Sequence, residues 1–125
     1  MVGRLVLVLG DQLTETLSAL AQADKGRDTV VMAEVADEAA YVRHHPKKIA
    51  LIFAAMRKFA QALEQDGWTV AYTQLDDTEN AGSIVGELLR RAAQTGASDV
   101  LATEPGEWRL IDKLKDAPLK VHLLP

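Results

Sequence analysis

The stretch Arg4-Leu-Val-Leu-Val-Leu-Gly-Asp-Gln-Leu13 decides how the rest of the chain is read. Leu5 to Leu9 is an unbroken apolar run with no polar alternation, so a strand built from it has to be covered on both faces. That is the condition of a central strand in a parallel sheet, and Gly10 ends it where the backbone has to turn sharply. Similar short runs at Thr29 to Val35, Thr69 to Gln74, Asp99 to Thr103 and Leu119 to Leu124 predict the other strands of a five-stranded sheet.

Helical patterns separate these runs. From Pro46 to Gln65, Ile49, Ile52, Phe53, Met56, Phe59, Ala60 and Leu63 recur at three- and four-residue spacing, with Pro46 suited to the first turn and Gly67 to the stop. Shorter helices are expected from Thr14 to Ala23, with Leu17 and Leu20 inward, from Asp37 to Arg43, and from Ala81 to Gln94, closed by Gly96. Strand and helix alternate throughout, which predicts a three-layer α/β/α sandwich around a five-stranded, parallel, doubly wound (Rossmann-like) sheet. In such sheets ligands sit beyond the carboxyl ends of the strands, where strand order reverses. The loops to search are therefore Gly10 to Leu13, Glu34 to Tyr41, Leu75 to Thr78 and Glu104 to Trp108.

Composition sets limits on what those loops do. With 125 residues, 48% of them apolar and 26% charged, residues 1–125 form one domain with an ordinary core. A net charge of −4 argues against this domain gripping nucleic acid by itself, which needs clustered Lys and Arg. Without cysteine there is no disulfide, no thiolate metal site and no cysteine nucleophile. No signal peptide opens the chain and no apolar run approaches the ~20 residues of a membrane span, so the expected compartment is the cytoplasm. The chain stops at Pro125, directly after its last predicted strand and without a covering helix, the pattern expected of the front of a longer protein.

Phosphate cradles are missing: neither G-x-x-x-x-G-K-[ST] nor G-x-G-x-x-G occurs, and Asn80 to Gly86 fits neither spacing. Asp11 reads equally as a ligand contact or as the cap of the following helix. Adjacent His44 and His45 point different ways and fit a helix entry before Pro46 better than a metal. Asp76 and Asp77 suit a turn as well as a cation shared with Glu104. Glu34, Glu38 and Tyr41 can share one crevice, a phenol to stack on a flat ring beside carboxylates that accept hydrogen bonds, or form a solvated acidic face with one half-buried tyrosine. Glu104-Pro-Gly-Glu-Trp-Arg109 is either a ligand wall, lid or interdomain contact, or a segment whose Trp108 packs the next helix on the sheet.

Four motifs in order, LVLVLGDQL (5–13), AEVADEAAYVRHHPKKIALIFAAMRKFAQAL (33–63), LDDTENAGS (75–83) and TEPGEWRL (103–110), resemble the amino-terminal domain of the prokaryotic (6-4) photolyase and iron–sulfur bacterial cryptochrome group, the deoxyribodipyrimidine photolyase-related proteins. The resemblance implies an antenna domain that can bind 6,7-dimethyl-8-ribityllumazine and pass excitation to a flavin. It implies Gly10, Asp11, Gln12, Leu13, Glu38 and Tyr41 as pigment contacts, with Glu34, Lys48 and Glu104 as further candidates. No catalytic residue and no metal ligand is implied here. The resemblance also implies a C-terminal helical domain of the parent chain that holds FAD, a [4Fe–4S] cluster and damaged DNA, sites with no counterpart in these residues. Two other readings stay open: a nucleotide-binding domain or metal-assisted hydrolase using Asp11, Asp76, Asp77 and Glu104, and an empty structural domain that docks through Trp108 and the last strand.

Overall fold

A computed structural model describes residues 3–37 and 46–125. Strands β1 (Leu5–Leu7), β2 (Thr29–Ala33), β3 (Thr69–Thr73), β4 (Asp99–Thr103) and β5 (Lys120–Leu124) pair in parallel in the order β3-β2-β1-β4-β5. The apolar run takes the centre, with Leu5 opposite both Thr29 and Val100. Alternation of side chains then divides it between two cores. Leu5, Leu7 and Leu9 meet Val31, Ala33, Val100 and Ala102 on one face, while Val6 and Val8 meet Val30, Met32 and Leu101 on the other.

Helices cover both faces, as the sequence predicts. Helices α1 (Ser18–Gln22) and α2 (Pro46–Gln65) pack on the Val6 side through Ala19, Leu20, Met56, Ala60 and Leu63; α3 (Ile84–Thr95) and α4 (Trp108–Lys115) pack on the Leu5 side through Ile84, Leu88, Leu110 and Leu114. Helix α2 stops where expected: Gly67, at φ 97°, donates to the Glu64 carbonyl while Trp68 donates to that of Leu63, closing the end with the two bonds of a Schellman cap. Helix α3 starts on Ser83, whose hydroxyl accepts from Gly86 N–H at 3.0 Å, and Gly96 caps it in the left-handed region.

Some expected boundaries move. The helix expected from Thr14 begins only at Ser18, because Gln12 N–H to Leu9 O and Leu17 N–H to Thr14 O make turns of the intervening chain. The Thr14 and Thr16 hydroxyls, 3.0 Å apart, bond each other, the local competition that weakens a helix start. Leu17 and Leu20 nevertheless face inward as expected. Trp108 does not pack helix α4 on the sheet: the indole is 73% exposed, and Leu110, Ile111 and Leu114 supply the buried face instead. Of the helix expected over Asp37 to Arg43, all but Asp37 lies outside the described residues, as do His44 and His45.

Candidate functional site

Strands β2 and β3 lie to one side of β1 and strands β4 and β5 to the other, so strand order reverses between β1 and β4. A cavity of about 370 Å³ opens there, beyond the carboxyl ends of the strands. Leu9, Gly10 and Asp11 form its floor at the end of β1, and Ala33 adds the end of β2. Ile49, Ile52, Phe53 and Met56 of α2 make one wall; Pro105, Glu107, Arg109 and Leu110 make the other, with Ile84 behind. The walls are mostly aliphatic and aromatic, and the charged groups are Asp11, Glu107 and Arg109.

Gly10 is there for space. A Cβ at this position would lie 2.9 Å from Ile52 Cγ2 and 3.2 Å from Met56 Sδ, so only a glycine lets α2 come this close to the strand end. The backbone does turn at Gly10 and Asp11, closed by Gln12 N–H to Leu9 O at 3.0 Å, but without positive φ at the glycine. Asp11 is exposed at the cavity and does not cap α1, whose start lies further on at Ser18.

Gln12 braces the floor. Its Oε1 accepts from Leu9 N–H at 3.3 Å and its Nε2 donates to the Thr103 carbonyl at 3.1 Å, joining the ends of β1 and β4 across the switch point. Thr103 continues the brace, its hydroxyl accepting from Ala19 N–H at 3.0 Å at the start of α1. Leu13 packs against the core on the α2 side.

Glu34 is wholly buried yet charged, and its partners explain how. Arg57 donates from Nε at 2.7 Å and from a terminal nitrogen at 2.8 Å, Tyr72 donates its hydroxyl, and Leu75 N–H donates at 3.1 Å. Burial pushes the Glu34 carboxyl up, but these donors, Arg57 foremost, outweigh it and hold the group below the usual carboxylate range. Burial and the same carboxylate push the Tyr72 phenol well up, so it stays a donor. Glu34 thus ties β2 to α2 and β3, and it is not among the residues that face the cavity.

A second buried carboxylate, Glu87, secures the start of α3. It accepts from the Thr73 hydroxyl, from Ala81 N–H at 3.0 Å and twice from Arg90 at 2.8 Å. Burial opposes its charge, yet these donors bring its pKa down to about 2.

Gly10 and Asp11 therefore line the cavity, whereas Gln12, Leu13 and Glu34 shape its surroundings. Lys48 in the first turn of α2 and Glu104, whose N–H donates to Leu124 O at 2.7 Å, are exposed and outside the lining. Glu38 and Tyr41 lie outside the described residues. The α2 wall was readable only as a core stripe, because an apolar face has the same spacing whether it meets a sheet or a void.

The acidic alternative finds no geometry. Asp77 accepts from Glu79 N–H at 2.9 Å, an ordinary turn that follows β3, and neither Asp76 nor Asp77 lines the cavity that Asp11 faces. Among the described residues no group of three or more His, Asp or Glu side chains is placed to hold a metal ion. Nor, among them, is any helix long and apolar enough to cross a membrane.

Fold and cavity together define a doubly wound α/β domain with a crevice at its switch point, the kind of site that takes a small ligand. Residues 6–124 match the family described as deoxyribodipyrimidine photo-lyase-related protein, and the chain belongs to that family. A (6-4) photolyase of Agrobacterium fabrum is 52% identical over 107 residues, 86% of this chain. The chain spans 21% of the length of that relative.

Proposed function

We propose that this chain is the antenna domain of a photolyase-type flavoprotein and that its strand-end cavity holds a flat pigment, with 6,7-dimethyl-8-ribityllumazine as the first candidate. The observation that carries this reading is the cavity itself. Its ~370 Å³ is at the small end of ligand sites and enough for a fused heterocycle. Ile52, Phe53 and Met56 offer an apolar slot for ring faces, and Asp11, Glu107 and Arg109 offer partners for hydroxyls of a polyol chain.

When bound, such a pigment supplies light absorption and excitation transfer. The residues around it have only to bind, orient and exclude water. The brace from Gln12 to Thr103 keeps the floor rigid, and rigidity limits loss of excitation as heat. Tyr41 and Glu38 are proposed to add a stacking phenol and a hydrogen-bond acceptor. The flavin, the iron–sulfur cluster and damaged DNA are assigned in this reading to a C-terminal helical domain of a cytoplasmic parent, which repairs DNA or senses blue light.

Fluorescence titration of the domain with the lumazine tests the reading, with FMN and ATP as controls. Saturable binding selective for the lumazine is expected, and Tyr41→Ala should weaken it by about 1–3 kcal/mol. Equal binding of all three, or of none, would overturn it.

A further inference from the structure

Helix α2 is fully buried only along its second half. Met56, Ala60 and Leu63 are buried in the core, whereas from Lys47 to Ala55 no side chain is buried. Of the inward residues of that first half, Ile52 and Phe53 pack on the margin of the core and also face the cavity, and Ile49 faces the cavity. Partial packing beside a void fixes the tilt of a helix less closely than full burial does. A directional contact at the point where burial begins can set the width of the slot.

Arg57 follows Met56 directly, at the turn where α2 leaves the core. Its guanidinium meets the buried Glu34 carboxylate in a two-point planar contact, 2.7 and 2.8 Å, and such a contact restricts direction as well as distance. The other Glu34 donors, Tyr72 and Leu75 N–H, come from β3 and the loop after it, so the carboxylate itself is held from the sheet side. Arg57 is half exposed, and an ion pair with a solvated partner adds little stability by itself. Its geometry is what an apolar contact would not reproduce.

We propose that Glu34, Arg57 and Tyr72 are positioning residues: without touching the ligand, they hold the overhanging half of α2 at the separation from the opposite wall that a flat ring requires. The proposal rests on the pigment-pocket reading for its purpose, but the placement of α2 can be measured without any ligand. The chain has no cysteine, so Leu51→Cys on α2 and Trp108→Cys at the start of α4 create a unique pair for spin labels. Both positions are exposed, at 71% and 73%, and each lies between residues of one cavity wall.

The distance distribution between the labels is compared in the parent pair, Arg57→Lys and Tyr72→Phe, with thermal unfolding and lumazine titration alongside. Arg57→Lys keeps the charge and loses the planar contact; it should broaden and lengthen the distribution and weaken lumazine binding roughly tenfold or more. Tyr72→Phe, which keeps the ion pair, should give a smaller change in the same direction and decides the matter if the lysine variant fails to fold. Parent-like distributions in a folded variant overturn the proposal even where lumazine binds the parent. A shifted distribution in a protein that never binds lumazine leaves the clasp standing and removes the pigment from the account.

Discussion

Gly10→Ala separates the demands of the fold from those of the ligand. The added methyl lies 2.9 Å from Ile52 Cγ2 and 3.2 Å from Met56 Sδ, against the ~3.5–4.0 Å at which such atoms rest. Ile52 has to withdraw by roughly 0.6 Å or more. Overpacking of this kind costs about 1–3 kcal/mol, and the lower end applies because Ile52 is only partly buried and faces a void. In return, alanine restricts the unfolded chain and restores about 0.4–1 kcal/mol, since Gly10 needs no positive φ. Stability should therefore change by less than about 1 kcal/mol, read from urea denaturation. Ligand binding has no such offset. The methyl enters the cavity floor and its pressure displaces the α2 wall, so lumazine affinity should fall about tenfold, or ~1.4 kcal/mol. Unchanged affinity with unchanged stability would remove the end of β1 from the site. A stability loss beyond about 3 kcal/mol would refute the reasoning in the other direction, showing that α2 cannot yield.

Further predictions address the supports of the site. Glu34 and Glu87 have folded pKa values below their ordinary 4.5, so the unfolded state binds more protons as the pH falls. Their contribution should be complete above 4.5 and should decline as the pH drops toward the Glu87 value of about 2; urea midpoints measured down to acid pH should fall in that window, and less steeply in Glu87→Gln. Gln12→Ala strips partners from Leu9 N–H and the Thr103 carbonyl and should cost about 1–3 kcal/mol in denaturation experiments. Trp108→Ala should stay within about 0.5 kcal/mol of the parent in the same assay, because the indole is exposed.

The elements that the chain announced most clearly are those whose signal is local. The Leu5 to Leu9 run required cover on both faces, and Pro46, the Ile49 to Leu63 stripe and Gly67 delimited α2. What escaped depends on partners distant in sequence. The brace that Gln12 makes was not legible, because the carbonyl it bonds lies 91 residues away. The partners of Glu34 escaped for the same reason, Arg57 and Tyr72 lying 23 and 38 residues away. Helix α4 is eight residues long, too short for its Leu110, Ile111 and Leu114 pattern to stand out after the Pro-Gly turn. The four family motifs, by contrast, were legible as they stood, and the match over residues 6–124 bears that resemblance out.

The central claim is that a pigment binds at the β1/β4 switch point, and backbone amide NMR of the domain titrated with 6,7-dimethyl-8-ribityllumazine tests it most directly. Saturable shifts should concentrate at Gly10, Asp11, Ile52, Phe53, Glu107 and Arg109, on both walls and the floor of the cavity. Shifts confined to other surfaces, such as β5, or no saturable shift at all, would contradict it.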